Sequence, residues 1–164
     1  MDEQLLHGHN DPVYSVALFW SNGHVASGSK GGSIIIHSTS SNKVEYQADN
    51  VFAGGVEGLC YLPNGSGLVA CGYDGPEGPN LKVFSPSLEL FQTLEGHNGF
   101  VNCVTVSPSG SHIASCGYRE VMIWSEPGEG GEWARVQVLE DHTSLIFAVC
   151  FSPDGKQLAT GSAD

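Results

Sequence analysis

Phe151-Ser152-Pro153-Asp154-Gly155-Lys156-Gln157-Leu158-Ala159-Thr160-Gly161-Ser162-Ala163-Asp164 reads as a strand end, a tight turn, a second strand and a further turn. Pro153 presets the φ of the turn and Gly155 accepts the positive φ that follows, so the flanking strands fold back as a hairpin. Working outward, the same order stands three more times. The turns are Ser21-Asn22-Gly23, Pro63-Asn64-Gly65 and Pro108-Ser109-Gly110, and glycines recur in Ala26-Ser27-Gly28-Ser29, Ala70-Cys71-Gly72-Tyr73 and Ser115-Cys116-Gly117-Tyr118. From Gly28 to Gly161 the steps are 44, 45 and 44 residues, and His9, His97 and His142 keep the same beat. Self-similarity at about 40–45 residues is the mark of one supersecondary unit stacked on copies of itself.

Each period opens on an alternating apolar run: residues 13–19, 56–62, 101–106 and 146–151. These runs are β-branched and aromatic with period two, which predicts strands. After the turn comes the strand with the periodic glycine, then a third run (residues 33–37, 81–84 and 121–124). A fourth run, at 90–94 and 136–139, leads into the next histidine. That makes four strands per period, with no helical periodicity. Short antiparallel sheets repeated radially are the blades of a β-propeller, so the fold class is all-β, an open array of four-stranded blades.

Bulk charge narrows the function. Asp and Glu number 18 against 6 Lys and Arg, a formal charge of −12. Phosphate neutralisation needs clustered cations, whereas Lys30, Lys43, Lys82, Arg119, Arg135 and Lys156 are scattered singly. Neither nucleic acid nor an anionic membrane surface suits such a chain; basic protein partners do. No apolar run approaches the roughly 20 residues that cross a bilayer. The acidic start lacks the basic and apolar regions of a signal peptide, so the expected location is the cytoplasm, with the nucleus as the alternative. The five cysteines, 60, 71, 103, 116 and 150, form no Cys-x-x-Cys pair and read as small core residues of a reducing compartment. Asn64-Gly65-Ser66 reads as a turn rather than a glycosylation acceptor.

At these markers the chain resembles the WD40 repeat family, over repeats at 7–38, 51–85, 94–125 and an incomplete 139–164. The best match is repeat four, with Asp141-His142, Ser152-Pro153-Asp154-Gly155 and Ala159-Thr160-Gly161-Ser162-Ala163-Asp164. Repeat three has Gly96-His97 and Ile123-Trp124-Ser125, and repeat one has Gly8-His9 with His37-Ser38 in the Trp-Asp place. The resemblance implies a hydrogen-bonded tetrad of His, Ser/Thr, Asp and Trp inside each blade. Such a network satisfies buried polar groups and stiffens the sheet. Carried over, it gives His142, Thr160 and Asp164 in repeat four. Repeat three offers His97 and Trp124, with Cys116 in the Ser/Thr place and Glu120 in the Asp place. Repeat one offers His9 and Ser27, with Gly31 for Asp. In repeat two Ala53-Gly54-Gly55 occupies the His region. On this alignment no tetrad is complete.

Candidate chemistry is sparse. His7-Gly8-His9 has zinc-ligand spacing, yet His9, His97 and His142 are accounted for by their repeat positions, so neither metal nor cofactor is expected. No Gly-x-Ser-x-Gly elbow is present. Glu126, Glu129 and Glu132 lie in a glycine-rich stretch that cannot preorganise acid–base geometry or cradle a phosphate. The chain therefore reads as a non-enzyme. A seven-residue insertion at 74–80 and the acidic stretch at 126–132 are expected to be mobile face or edge loops.

What remains is surface recognition. The resemblance implies binding through the loops into the first strand and between the second and third. Mapped here, that face comprises Tyr14, Lys30, Glu57, Tyr73, Phe100, Asn102, Arg119 and Phe147, rich in the aromatic and Arg types that anchor interfaces. The alternative is that some of these aromatics plug the blade-to-blade core. The leading reading is a non-catalytic protein–protein interaction scaffold. A fainter resemblance, through the insertion, to the propeller of phospholipase-activating, ubiquitin-binding proteins gives a second reading, a substrate- or ubiquitin-binding propeller segment of a larger enzyme or ubiquitin-pathway protein. A third is a truncated fragment without autonomous function. Because propellers close with four to eight blades, further blades are expected in a longer chain, or self-association of this segment alone.

Overall fold

The computed structural model describes residues 4–78, 80–126 and 131–164. They form fourteen antiparallel strands and no helix. Blade one is β1 (Val13–Phe19), β2 (His24–Ser29), β3 (Ile34–Ser38) and β4 (Val44–Ala48). Blade two is β5 (Val56–Tyr61), β6 (Leu68–Gly72), β7 (Leu81–Phe84) and β8 (Leu90–Leu94). Blade three is β9 (Cys103–Val106), β10 (His112–Cys116), β11 (Val121–Ser125) and β12 (Ala134–Leu139). Blade four is the hairpin β13 (Ile146–Phe151) and β14 (Leu158–Ser162). The first strands adjoin in the order β1, β5, β9, β13, so the described residues make an arc of blades rather than a closed ring. Blade one has a fourth strand although its residues, Val44-Glu45-Tyr46-Gln47-Ala48, form no apolar run. β4 is polar and largely exposed, and it is held by its ladder with β3.

The turn chemistry is as the residues dictate. Gly23, Gly65, Gly110 and Gly155 have φ of 66°, 74°, 77° and 70°. Their backbone N–H groups donate to Trp20, Leu62, Ser107 and Ser152 carbonyls at 2.8–3.3 Å. A side chain would strain each turn. These hairpins fix the register, and the register decides which face of each blade is buried.

Successive blades meet face to face through apolar side chains. Ala26, Ile34 and Ile36 of blade one cover Leu59, Leu68 and Phe84 of blade two. Val69, Cys71 and Leu81 of blade two pack on Val104, Ile113 and Trp124 of blade three. Ala114, Cys116 and Val121 of blade three receive Ile146 and Val149. Each fully buried aliphatic side chain contributes about 1.5–3 kcal/mol. Gly28 leaves room for the next blade: a Cβ there would sit 2.5 Å from Val56 Cγ1. On the other side of blade one, Val16, Leu18 and Trp20 are exposed, Trp20 to 80%. Leu59, the register equivalent of Val16 in blade two, is buried at 7%.

Pairing corrects the alignment of the repeats. Val16 faces Ser27, Leu59 faces Ala70, Val104 faces Ser115 and Val149 faces Thr160. Ser27, Ala70, Ser115 and Thr160 are therefore equivalent. Gly28 and Gly161 occupy the next slot, together with Cys71 and Cys116. Gly72 and Gly117 stand one position further on. The Ser/Thr place in repeat three belongs to Ser115 and not to Cys116.

The insertion is also corrected. Asn80, 2% exposed, accepts the Asp74 N–H at 2.5 Å and donates to the Gly75 and Gly99 carbonyls at 3.1 and 2.8 Å. One buried amide thus ties both ends of the insertion to the loop before blade three. Residues 127–130 of the acidic stretch, Glu129 among them, lie outside the described residues. Just beyond them Trp133 is buried in the blade two–three core, its N–H and C=O held by Gln92 Oε1 at 2.8 Å and Nε2 at 2.9 Å.

Candidate functional site

Beneath the loop face blades one, three and four carry His-centred networks of different composition. In blade three Trp124 Nε1–H donates to Ser115 Oγ at 2.9 Å, and Ser115 Oγ lies 2.8 Å from His97 Nε2. Glu120 Oε1 stands 3.3 Å from His97 Nδ1, an electrostatic approach rather than a well-aligned hydrogen bond. Ser115 is fully buried and Trp124 nearly so. With Nδ1–H facing Glu120, His97 Nε2 is free to accept the Ser115 proton while Ser115 Oγ accepts from Trp124. Every link but the one from Nδ1 to Glu120 is then a hydrogen bond, and that one is electrostatic. The His97 contact holds the Glu120 carboxyl below its ordinary range. Blade three thus brings four residues together, three joined by hydrogen bonds and Glu120 by an electrostatic approach, with Ser115 in the Ser/Thr place.

Blade one makes a different closure. His9 Nε2 is 2.8 Å from Ser27 Oγ, as the family pattern asks, but His9 Nδ1 meets Ser33 Oγ at 3.0 Å. A Cβ on Gly31 would collide with the Asp11 carboxylate, which fills the space where a turn Asp would project. His37, in the Trp place, turns away and bonds the His7 carbonyl at 2.9 Å. Burial, opposed by Ser27, pushes the His9 pKa down. In blade four His142 Nε2 bonds Thr160 Oγ1 at 2.8 Å and Nδ1 bonds Asp164 Oδ1 at 2.9 Å. Asp164 also accepts the Thr143 N–H at 2.6 Å, and these bonds drive its pKa far down.

Blade two replaces the network with packing. Phe52, not the Ala53-Gly54-Gly55 stretch, takes the His place, four residues before Val56, and is buried at 1%. Ala70 and Phe84 take the Ser/Thr and Trp places. Lys82 lies 4.5 Å over the Phe52 ring and bonds Asp74 Oδ2 and the Val51 carbonyl, each at 2.5 Å. Burial pushes the Asp74 carboxyl up, but Lys82 and the Ala53 N–H outweigh it and leave its pKa lowered.

Above these networks Tyr73, Phe100, Asn102 and Arg119 of the predicted face lie at blade junctions. Tyr73 directly follows β6 and Phe100 precedes blade three. Their rings stack at 4.0 Å with 9° between planes, and Phe100 remains 49% exposed. The Val101 N–H donates to the Gly72 carbonyl at 3.1 Å, bringing the two aromatics together. At the next junction the Ile146 N–H donates to the Gly117 carbonyl at 3.1 Å, and Arg119 lies 5.0 Å over the Tyr118 ring. The sequence reading had passed over Tyr118. Phe147 on β13 and Tyr14 on β1 are exposed without an aromatic partner among the described residues. Lys30 is exposed in the blade-one turn, where its N–H donates to the Pro12 carbonyl at 2.8 Å. Asn102 spends its amide on the Ile146 carbonyl at 2.8 Å, so its work is in the seam. Glu57 is half-buried, which raises its carboxyl pKa, and it has no ion pair among the described residues. Among the described residues no group of three or more His, Cys, Asp or Glu side chains could hold a metal ion. No helix is long and apolar enough to cross a membrane.

The family model "WD domain, G-beta repeat" matches residues 3–38, 88–125 and 133–164. The chain belongs to the WD40 repeat family. The repeat it skips is blade two, where Phe52, Ala70 and Phe84 have replaced the polar markers. Among curated proteins the chain is similar to a ribosome biogenesis protein WDR12 homolog of Chlamydomonas reinhardtii, at 35% identity over 91 residues. That match covers 50% of this chain and 20% of the relative, so the chain spans about a fifth of that protein's length.

Proposed function

We propose that this WD40 segment is a non-catalytic docking scaffold whose junction loops bind a basic protein segment. The observation that carries the reading is the Tyr73–Phe100 stack. A preassembled aromatic pair, half in solvent and fixed by a backbone bond between blades, provides a rigid anchor at low entropic cost. The Tyr118–Arg119 pair extends the surface over the next junction. Glu57 and the overall charge of −12 favour a partner bearing Lys or Arg. The open face of Val16, Leu18 and Trp20 suits a further blade-like sheet, from the same longer chain or a second copy. The name of the similar protein suggests partners in ribosome biogenesis and a nuclear location.

The test is a Phe100→Ala, Arg119→Ala double variant compared with the parent in affinity purification and in co-sedimentation with ribosome-assembly particles. The variant should keep its circular dichroism and lose the parent's protein partners. A folded variant that keeps every partner removes this face from the function.

A further inference from the structure

The slot that pairs the first two strands next to the Ser/Thr position differs between blades. It holds Ser15 with Gly28 in blade one, Gly58 with Cys71 in blade two and Ala148 with Gly161 in blade four. Small side chains face each other there because the next blade packs on top. Blade three alone places Cys on both strands, Cys103 directly opposite Cys116. Directly opposed residues of an antiparallel pair point to the same face. The sulfurs confirm it: Cys103 Sγ is 3.8 Å from the Val149 carbonyl oxygen and Cys116 Sγ is 3.9 Å from that of Ile146, both on β13. Cys71, by contrast, is packed in the blade two–three core, so it lies across blade three from this pair.

Blade four provides a ruler for the spacing. A Cβ built on Gly161 would stand 3.6 Å from the Cβ of Ala148. Disulfides span Cβ separations of about 3.5–4.5 Å, so the fold holds this slot at bridging distance. Cys103 is partly exposed and Cys116 fully buried, which gives an oxidant one point of entry and leaves the second thiol in reserve. The neighbouring Cys116 thiol holds the Cys103 pKa down, while Cys103 and burial push Cys116 up. The nucleophilic thiol is thus the reachable one.

We infer that Cys103 and Cys116 are a redox modification site, closing into a reversible cross-strand disulfide when the protein meets a peroxide. Cys103 thiolate attacks the O–O bond and becomes a sulfenic acid, two electrons passing to the peroxide, which leaves as alcohol or water. The Cys116 sulfur then attacks the sulfenic sulfur. The S–S bond forms, the S–O bond breaks, and the hydroxide leaves as water with the Cys116 proton. Oxidation removes both S–H donors at the blade three–four seam, so closure loosens the attachment of β13.

The experiment treats the reduced, folded protein with hydrogen peroxide, then alkylates it in denaturant and maps its peptides by mass spectrometry. The expected result is loss of two alkylatable thiols in the single peptide that carries Cys103 and Cys116, its mass lower by the two hydrogens lost to an internal bridge, restored by dithiothreitol. Exposed Cys150 oxidises singly and serves as the internal control for peroxide reaching the protein. In Cys116→Ser, Cys103 should be trapped by dimedone as the sulfenic acid. Should the variant not fold, the parent's peptide map alone decides. Cys103 and Cys116 both remaining alkylatable while Cys150 oxidises overturns the inference, as does Cys103 going on to sulfinic acid without a bridge.

Discussion

Replacing Ser115 by Ala deletes one oxygen and should cost far more than the atom suggests. Ser115 is fully buried and serves two partners, the Trp124 indole N–H at 2.9 Å and His97 Nε2 at 2.8 Å. With the hydroxyl gone, neither partner can turn to water, because Trp124 is 2% and His97 6% exposed. Each stranded polar group costs about 1–3 kcal/mol, so the expected loss for the two is about 2–6 kcal/mol. For a chain of this size that is a fall in Tm on the order of 10 °C. Thr160→Ala is the matched control. Thr160 holds the same register place and also bonds its histidine, yet it is exposed, and its loss should stay below about 1 kcal/mol. Differential scanning fluorimetry gives the Tm, and hydrogen exchange over β10 and β11 shows whether blade three opens first. Equal effects of the two variants, or a change in Ser115→Ala below about 0.5 kcal/mol, would refute the burial argument.

Three further outcomes follow from the same geometry. Gly28→Ala drives a methyl to 2.5 Å from Val56 and should cost about 1–3 kcal/mol, whereas Gly161→Ala, whose nearest atom is 3.6 Å away, should be close to neutral by thermal melting. Trp133→Ala empties the outer seam of blades two and three and should cost about 3–5 kcal/mol in denaturant titration. The His9 pKa is lowered in the folded state, so its contribution is complete above the unfolded value of 6.5 and is lost as pH falls below it; Glu120 and Asp164, also lowered, lose theirs only in the carboxylate range below about 4.5. Melting temperature measured from pH 7.5 to 3 should therefore fall in two stages, and His9→Gln should remove the first.

The repeat architecture was legible because its signals are local. Period-two runs and Pro-x-Gly turns act within a few residues, and all four turn glycines adopt the positive φ their chemistry requires. Ser115 was missed for a non-local reason. The glycine marker slides one place between repeats, and only cross-strand register shows that Gly117 stands beyond the slot Gly28 fills. Phe52 was hidden because a His-to-Phe exchange trades a hydrogen-bonded network for packing and a Lys82 contact made from 30 residues away in the chain. Trp133 follows a glycine-rich stretch, and nothing local tells that its ring crosses to the neighbouring blade. On the loop face Tyr73 and Phe100 were legible as residue types. Their stacking was not, since it depends on the Val101–Gly72 bond between blades.

The most direct test of the docking face is site-specific photocrosslinking. A benzophenone amino acid placed at Phe100, on the stacked pair, is compared with one at Val136, an equally exposed position on the outer strand β12. The proposed scaffold predicts partner adducts from position 100 and none from position 136. Adducts from position 136 with none from position 100 would contradict it.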